Sequence, residues 1–298
     1  MLIVLCADEN YIMPCATCIA SIFENNKDLD LHVAVLTEGL TDKSLLGLKE
    51  LSDKYDKTIE VKNISRSAFD SLKVSDRFPV SIYFRFLIPS LFPEYDRALY
   101  LDCDIIVHGS LRDLVELDLD VYACACVEDQ MADDIRILNH FGKSSVYFNS
   151  GVLLMNLDYW RQHDISRKCI SFIRENPDKC MYPDQDALNH VLSGKVKYLR
   201  YIFNFQEQMY LNHSELFLSR DKWNEIDDSK CCPIVVHYTA NIKPWFKECS
   251  HPLKELFCQY RGVTPWRLVK DKEFYPIGKI GRVTRFLSNI YKSISFHR

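Results

Sequence analysis

Paired aspartates are the residues of this sequence whose type and spacing most directly suggest chemistry. The pattern Asp-x-Asp occurs four times, as Asp28 with Asp30, Asp102 with Asp104, Asp118 with Asp120, and Asp184 with Asp186. What distinguishes Asp102 and Asp104 is that they follow an apolar run at residues 98–101, and ligands of open α/β sheets bind at the carboxyl ends of strands. Two adjacent carboxylates repel each other unless a cation lies between them, and Mg²⁺ and Mn²⁺ prefer such hard ligands. This pair therefore predicts a divalent metal site, whereas a solvated turn is the preferred interpretation of Asp118 and Asp120.

The elements that must position these aspartates alternate between strands and helices. Apolar runs at residues 2–6, 32–36 and 59–61 predict strands, and the segments between them predict a helix beginning near Pro14 and a helix opened by Thr41. This alternation implies right-handed crossovers and a mostly parallel sheet. Further along, we expect a helix at 83–91, strands at 98–101, 105–107, 122–127 and 152–155, and a helix over about 159–174. Residues 209–229 show no clear period.

Composition indicates an ordinary globular protein and argues against nucleic acid as a partner. The chain has 298 residues, of which 47% are hydrophobic and 26% charged, and its formal net charge is −4. Nucleic-acid binding requires an excess of clustered Lys and Arg. We expect a cytoplasmic protein, because no apolar run approaches the roughly 20 residues of a transmembrane helix and residues 1–6 do not resemble a signal peptide. The twelve cysteines are scattered and are interpreted as reduced thiols, with Cys15 and Cys18 on a buried helix face.

The C-terminal residues differ in charge from the rest of the chain. After Glu273 there is no acidic residue, and the apolar residues at 280, 283, 287, 290 and 294 share one helical stripe among Lys and Arg. A basic amphipathic helix is therefore predicted over about 279–295. Two roles stay open for it: peripheral attachment to the inner face of an anionic membrane, and docking on the protein's own surface.

Five motifs in order give the sequence a specific resemblance. They are Ala7-Asp8-Glu9-Asn10-Tyr11, Leu99-Tyr100-Leu101-Asp102-Cys103-Asp104, Phe148-Asn149-Ser150-Gly151-Val152, Asp184-Gln185-Asp186, and His237-Tyr238 with Lys243-Pro244-Trp245. Over about residues 2–246 the chain resembles glycosyltransferase family 8, which includes bacterial lipopolysaccharide galactosyl- and glucosyltransferases and glycogenin. Each motif is weak alone, but five in the right order are specific.

The resemblance implies an α/β fold of the GT-A type, the nucleotide-diphospho-sugar transferase fold, with a mostly parallel central sheet and helices on both faces. We expect a catalytic domain over 1–250, with a nucleotide-sugar part at about 1–105 and an acceptor part at about 106–250, followed by a C-terminal extension at 251–298. The implied reaction moves a hexose with retention of configuration from UDP-galactose or UDP-glucose to a glycan or lipid-linked oligosaccharide, in lipopolysaccharide or surface polysaccharide synthesis. Mn²⁺ is the implied cofactor, and Mg²⁺ is the alternative.

The resemblance also assigns roles to particular residues. Asp102, Asp104 and His237 would hold the metal, and two carboxylates with one imidazole make a chemically sensible Mn²⁺ site. Tyr11 would stack on uracil and Asp8 would hydrogen-bond to it. Structural alternatives for these two are a core aromatic and a helix N-terminal cap. Further donor contacts would come from Ala7, Asn10, Cys103 and Asp102.

Other residues would bind the donor sugar and diphosphate. Arg85, Asn149, Ser150 and Asp184 resemble sugar contacts, with a structural ion pair as the alternative for Arg85, and Lys243 resembles the diphosphate contact. Asp184 and Gln185 are the implied catalytic residues. The Gln185 amide oxygen would stabilise the cation-like anomeric carbon while the acceptor attacks from the front side.

Two positions depart from the family pattern or cannot be aligned. Ala240 stands near a place where relatives often have glycine, and its β-carbon is expected to shift the loop or weaken donor affinity. The acidic residue that binds sugar after the strand near Val127 is either Glu128 or Asp129. Two alternative functions stay open from the sequence: a Mg²⁺-dependent phosphatase with an aspartate nucleophile, and a non-catalytic glycan-binding protein.

Overall fold

The computed structural model describes residues 1–70, 72, 74, 79–129, 146–178, 180–211 and 218–274. The described strands, in chain order, are β1 (Leu2–Cys6), β2 (His32–Thr37), β3 (Ile59–Asn63), β4 (Arg97–Leu101), β5 (Ile105–Val107), β6 (Cys124–Glu128), β7 (Phe148–Asn156), β8 (Val196–Tyr198), β9 (Phe205–Gln206) and β10 (Val235–His237). The helix predicted at about 279–295 lies outside the described residues.

The described α-helices are α1 (Ile12–Asn25), α2 (Asp42–Tyr55), α3 (Ile88–Leu91), α4 (Arg112–Glu116), α5 (Leu157–Gln162), α6 (Ile165–Glu175), α7 (Pro183–Val191), α8 (Arg220–Lys230) and α9 (Lys254–Gly262). Short 3-10 helices lie at Arg66–Phe69, Val80–Leu87, Tyr201–Phe203 and Glu207–Tyr210. In this part of the chain no helix has both the length and the apolar character that crossing a bilayer would require.

A mostly parallel sheet is the centre of the fold, as the sequence predicted. Its strand order among the described residues is β3-β2-β1-β4-β7-β6-β8. Neighbours from β3 to β4 are parallel, β6 is parallel to β8, and β7 is antiparallel to both β4 and β6. Because β1 to β4 run the same way, their carboxyl ends meet at one edge of the sheet.

Both faces of this sheet are covered by helices. Alternate residues of β1 point to opposite faces: Ile3 and Leu5 pack in one apolar cluster with α1 and α2, whereas Leu2 and Val4 pack in another with α5, α6 and α7. The twelve cysteines are free thiols, and Cys15 and Cys18 are fully buried on α1.

A second, smaller sheet has the order β5-β10-β9, with β10 antiparallel to β5 and parallel to β9. The chain therefore leaves the large sheet at Leu101 and enters the small sheet at Ile105. Asp102 and Asp104 lie at this junction between the two sheets.

Two predicted elements need correction, and one segment without a prediction contains a helix. Residues 83–91 are a 3-10 helix up to Leu87, followed by one α-turn; Pro89 has no N–H to continue an α-helical ladder. The helix predicted over 159–174 is two helices that break at His163 and Asp164, where Asp164 has φ 52°. Within 209–229, α8 begins after Ser219, whose side chain accepts from the N–H of Lys222.

Candidate active site

Two aspartates and one histidine converge where the two sheets meet. His237 ends β10 and pairs in register with Ile105, the residue after Asp104. Each of Asp102, Asp104 and His237 offers one ligand atom, and these atoms all lie within 4.8 Å of one another. The structure therefore brings together all three residues that the sequence assigned to the metal.

The hydrogen bond that His237 makes uses Nδ1 and leaves Nε2 available as a metal ligand. Its Nδ1 lies 3.0 Å from Oδ1 of Asn204, whose amide nitrogen donates to Oδ1 of Asn149 at 2.9 Å. This chain orients the Asn204 amide as an acceptor, so Nδ1 carries the proton and the lone pair of Nε2 points outward. That Nε2 atom lies 3.2 Å from Asp104 Oδ1 and 3.8 Å from Asp102 Oδ2. A lone pair facing two carboxylates is repulsive without a cation, so the donor set fits a divalent ion.

Each aspartate has one oxygen occupied by the protein and one directed at His237. Asp102 Oδ1 accepts from the Tyr100 hydroxyl at 2.6 Å and from Arg85 at 3.0 Å. Asp104 Oδ2 accepts from Lys243 Nζ at 2.6 Å, and Lys243 also donates to the Tyr238 carbonyl at 2.7 Å. Burial alone would raise the pKa of Asp104, but the neighbouring Lys243 ammonium holds it well below its usual value. Asp104 is therefore ionised at neutral pH.

Gly151 provides the space in which these ligands meet. The N–H of Asp102 donates to the Gly151 carbonyl at 2.8 Å, so β7 directly holds the loop that carries Asp102 and Asp104. A β-carbon at position 151 would lie 2.3 Å from Cε1 of His237 and 2.7 Å from Oδ2 of Asp102. The positions of the Asp102 and His237 side chains therefore require glycine at this place in the Phe-Asn-Ser-Gly-Val motif.

Arg85 connects Asp102, one of the three candidate metal ligands, to Asp184 in the first turn of α7. Its buried guanidinium donates to Asp102, to Ser150 Oγ at 3.1 Å and to Asp184 Oδ2 at 3.0 Å, and it lies 4.2 Å from the centre of the Tyr100 ring. Burial lowers the pKa of Arg85, but Asp184, Tyr100 and Asp102 together raise it above its ordinary value. Arg85 is both an ion-pair partner and a wall of the cavity, so the two sequence interpretations are compatible.

The amide of Gln185 is held at both ends. Its Oε1 accepts from the N–H of Ser150 at 2.9 Å, and its Nε2 donates to Asp129 Oδ2 at 3.0 Å. Asn149 Nδ2 donates to the same Asp129 oxygen at 3.2 Å. Glu128 instead binds Lys222 at 2.5 Å and the Tyr201 hydroxyl at 3.0 Å. Of the two acidic residues left open by the sequence, Asp129 is the one that faces the site.

These side chains surround one cavity of about 570 Å³. Its described lining includes Tyr11, Arg85, Asp102, Cys103, Asp104, Asp129, Asn149, Ser150, Asp184, Gln185, His237 and Lys243. The cavity is also lined by residues to which the sequence assigned no role: Cys6, Pro79, Ser81, Ile82, Tyr100, Tyr182, Gln206, Gln208, Thr239, Asn241 and Phe274.

The four donor contacts predicted at Ala7, Asp8, Asn10 and Tyr11 are not equivalent in the structure. Tyr11 is 39% exposed, lines the cavity and touches the edge of Trp245, so it is not a core aromatic. Ala7 is buried directly after β1, while Asp8 accepts from the N–H groups of Asn10 and Tyr11 and so closes the turn before α1, without capping the helix itself. Ala7, Asp8 and Asn10 are not among the described lining residues, and their contact with the donor stays a prediction.

Asn204 is the main positioning residue that sequence reasoning missed. It is fully buried between Phe203 and Phe205, and a polar residue in such an aromatic run is a signal of a buried hydrogen bond. Asn189 was also missed: it lies one turn after Gln185 on α7 and bonds to the backbone of Phe148 in both directions. Ala240 stands where relatives often have glycine, and its N–H donates to Glu207 Oε2 at 3.2 Å.

A GT-A fold with a candidate metal site at the carboxyl edge of its sheet defines the class of this protein. The model of glycosyl transferase family 8 matches residues 2–249, and the chain belongs to this family. It is a glycosyltransferase.

Its relatives agree with this class. The chain is 31% identical to a lipopolysaccharide 1,2-glucosyltransferase of Escherichia coli over 277 residues, covering 89% of this chain and 79% of that protein. It is 28% identical to general stress protein A of Bacillus subtilis, covering 90% and 96% of the two chains. The galactosyltransferase LgtC, solved in complex with donor and acceptor sugar analogs, superposes with a TM-score of 0.79 at 25% identity, covering 95% of this chain and 99% of that chain. These matches do not favour a phosphatase or a non-catalytic glycan-binding protein.

Proposed function

We propose that this enzyme transfers galactose or glucose from a UDP-sugar to a glycan or lipid-linked oligosaccharide during lipopolysaccharide or surface polysaccharide synthesis. The observation that carries the proposal is the convergence of Asp102, Asp104 and His237 beside Lys243 in a cavity that Asp184 and Gln185 also line. A relative named as a glucosyltransferase and a structural neighbour named as a galactosyltransferase support a hexose donor.

The metal cluster and Lys243 are assigned to the diphosphate. Asp102, Asp104 and His237 would hold Mn²⁺, with Mg²⁺ as the alternative, because carboxylates and imidazole suit both the charge and the hardness of these ions. When bound, such an ion supplies Lewis-acid stabilisation of the negative charge that develops on UDP. Lys243 adds a second positive charge at the same place, since its ammonium already lies 2.6 Å from a metal ligand.

The nucleoside and the sugar are assigned to different groups of residues around the cavity. Tyr11 would stack on uracil, and Ala7, Asp8, Asn10 and Cys103 would complete that subsite. Donor-sugar hydroxyls would meet the polar cluster of Arg85, Asp129, Asn149, Ser150 and Asp184. Most of this cluster is buried and hydrogen-bonded to itself, which preorganises it for sugar hydroxyls.

The chemical step needs stabilisation of two opposite charges. Negative charge grows on the departing UDP, next to Lys243, while the anomeric carbon becomes cation-like. Gln185 Oε1 has one lone pair bonded to the Ser150 N–H, and its second lone pair is assigned to the cation-like carbon. An amide is a weak nucleophile, so we assign front-side attack by the acceptor hydroxyl, whose proton passes to a leaving phosphate oxygen.

The division of the chain stays a separate proposal, because the donor contacts assigned above come from both sides of residue 105. Residues 1–105 contribute the nucleotide-sugar part, residues 106–250 the acceptor part, and residues 251–298 the C-terminal extension. We keep peripheral contact of the C-terminal helix with the inner face of the membrane, and a cytoplasmic location, as predictions from the sequence.

The test is turnover of a panel of UDP-sugars with Mn²⁺, comparing Asp104→Ala with the matched control Asp118→Ala. Asp118 belongs to another Asp-x-Asp pair and is exposed on a turn. We expect UDP release from UDP-galactose or UDP-glucose by the wild-type protein and by the control, and its loss in Asp104→Ala. Full activity of Asp104→Ala would refute the metal assignment, and no turnover of any UDP-hexose would refute the proposed function.

A further inference from the structure

The last described segment of the chain, residues 271–274, reaches the active-site cavity from outside the matched family region. The family model ends at residue 249, yet Phe274 lines the cavity together with Asn241 and Lys243.

The segment runs alongside the loop that carries Lys243. The N–H of Lys272 donates to the Trp245 carbonyl at 3.0 Å, and the N–H of Lys247 donates to the Lys272 carbonyl at 2.9 Å. These two bonds form a parallel bridge between Phe246 and Lys272. The backbone carbonyl of Lys243, two residues before Trp245, accepts a turn-closing hydrogen bond from the N–H of Phe246 at 2.9 Å. The loop at residues 243–248 is thus fixed along one side by the segment.

Phe274, at the C-terminal end of the segment, also contacts the loop at residues 243–248. Its N–H donates to Glu248 Oε2 at 3.0 Å, and its ring packs edge-on against Phe246 with ring centres 5.0 Å apart. The backbone and the side chain of Phe274 are therefore both placed by the loop, and its ring completes the cavity wall next to that loop.

Asp271 anchors the segment to α9. Its carboxylate lies 2.7 Å from Arg261 and 3.3 Å from Lys254, and Lys254 also donates to the Phe246 carbonyl at 2.8 Å. These three charged side chains are between 13% and 21% exposed, so the network is shielded from solvent more than an ordinary surface pair. One lysine connects α9, the segment and the loop.

We infer that residues 271–274 form part of the donor-binding site: the Asp271 anchor keeps the Lys243 loop in place, and Phe274 supplies an apolar wall beside the diphosphate. Asp271 is a positioning residue, because it acts on the substrate through the loop. The Lys243 ammonium lies 2.6 Å from Asp104, where its charge would face the diphosphate, and a loop released on one side would let this ammonium move into solvent. This inference rests on the proposed function.

The experiment measures UDP affinity with Mn²⁺ by calorimetry, and the KM values for donor and acceptor, in full-length variants. Asp271→Asn removes the anchoring charge with little change in shape, and Asp271→Glu is the conservative rescue. Asp53→Asn is the matched control, because Asp53 makes an exposed ion pair with Lys49 on α2. We expect Asp271→Asn to weaken UDP binding by between about twofold and about thirtyfold and to raise the donor KM, with the acceptor KM unchanged. Asp53→Asn should match the wild type, and Asp271→Glu should recover most of the affinity.

Phe274→Ala is an independent second test, because it leaves the ion network intact and removes only the wall. Phe274→Leu keeps an apolar side chain and should bind UDP more tightly than Phe274→Ala. Wild-type UDP affinity in both Asp271→Asn and Phe274→Ala, while Lys243→Ala binds UDP weakly, would overturn this inference and leave the proposed function standing. Absence of UDP binding by the wild-type protein with Mn²⁺ would overturn the proposed function itself.

Discussion

Replacing Gly151 by alanine should disable the enzyme without unfolding it. The added β-carbon would lie 2.3 Å from Cε1 of His237 and 2.7 Å from Oδ2 of Asp102. Carbon atoms in contact are separated by about 3.5 Å or more, so the imidazole must retreat by roughly 1 Å. His237 is buried and its Nδ1 is held by Asn204, so the ring cannot move without losing that hydrogen bond.

The magnitude follows from this displacement. A misplacement of about 1 Å in a catalytic constellation lowers activity by about a hundredfold. Gly151→Ala should therefore reduce kcat/KM for the UDP-sugar by about that factor, which is about 2.7 kcal/mol of lost transition-state stabilisation. Stability should fall less than activity, since the clash is with side chains at the edge of the cavity rather than with backbone.

The assay is steady-state turnover with a Mn²⁺ titration, together with thermal denaturation of the same samples. Gly262→Ala is the matched control: it ends α9, and a β-carbon there meets nothing within 4 Å. We expect wild-type turnover in Gly262→Ala and both a higher Mn²⁺ requirement and lower turnover in Gly151→Ala. Wild-type kcat/KM and Mn²⁺ dependence in Gly151→Ala would refute the placement of these ligands.

Two further predictions concern Gln185 and the buried histidine His251. Gln185→Ala should lower kcat far more than it weakens UDP binding, because Gln185 is assigned to the anomeric carbon; an unchanged kcat in stopped-time assays would reject that role. Burial lowers the pKa of His251, which packs against Tyr210 and Tyr238, from 6.5 to about 3. The unfolded chain therefore binds a proton that the folded protein excludes, and stability should fall as the pH drops from about 6.5 towards about 3, by up to about 1.4 kcal/mol per pH unit. Urea unfolding of His251→Phe should show a flatter pH dependence, and identical slopes in both proteins would contradict this.

Strands with strong local signals were predictable from the sequence. The unbroken apolar runs of β1 and β2 and the cap at Thr41 are local features, and the structure contains each of them within a few residues. In contrast, no local signal shows that β5 leaves the large sheet and pairs with β10, more than 120 residues later. Such pairings depend on loop closure between distant segments, which periodicity does not encode.

The candidate site shows the same limit. Context alone marked Asp102 and Asp104, but the partnership of His237 came from the family resemblance, since nothing in its neighbourhood specifies what it faces. Asn204, which sets the imidazole tautomer, had only its aromatic neighbours as a signal. The break at Asp164 was missed because neither proline nor glycine marks it in the sequence, whereas Asp164 itself adopts the left-handed backbone with φ 52°.

The central claim is that three side chains at the junction of the two sheets hold a divalent ion at the diphosphate. Its most direct test is a crystal grown with Mn²⁺ and UDP, with data collected at the manganese absorption edge. We predict one anomalous peak within bonding distance of Asp102, Asp104 and His237 Nε2 and adjacent to the UDP phosphates. UDP bound in the cavity with no peak between these three side chains would contradict the account.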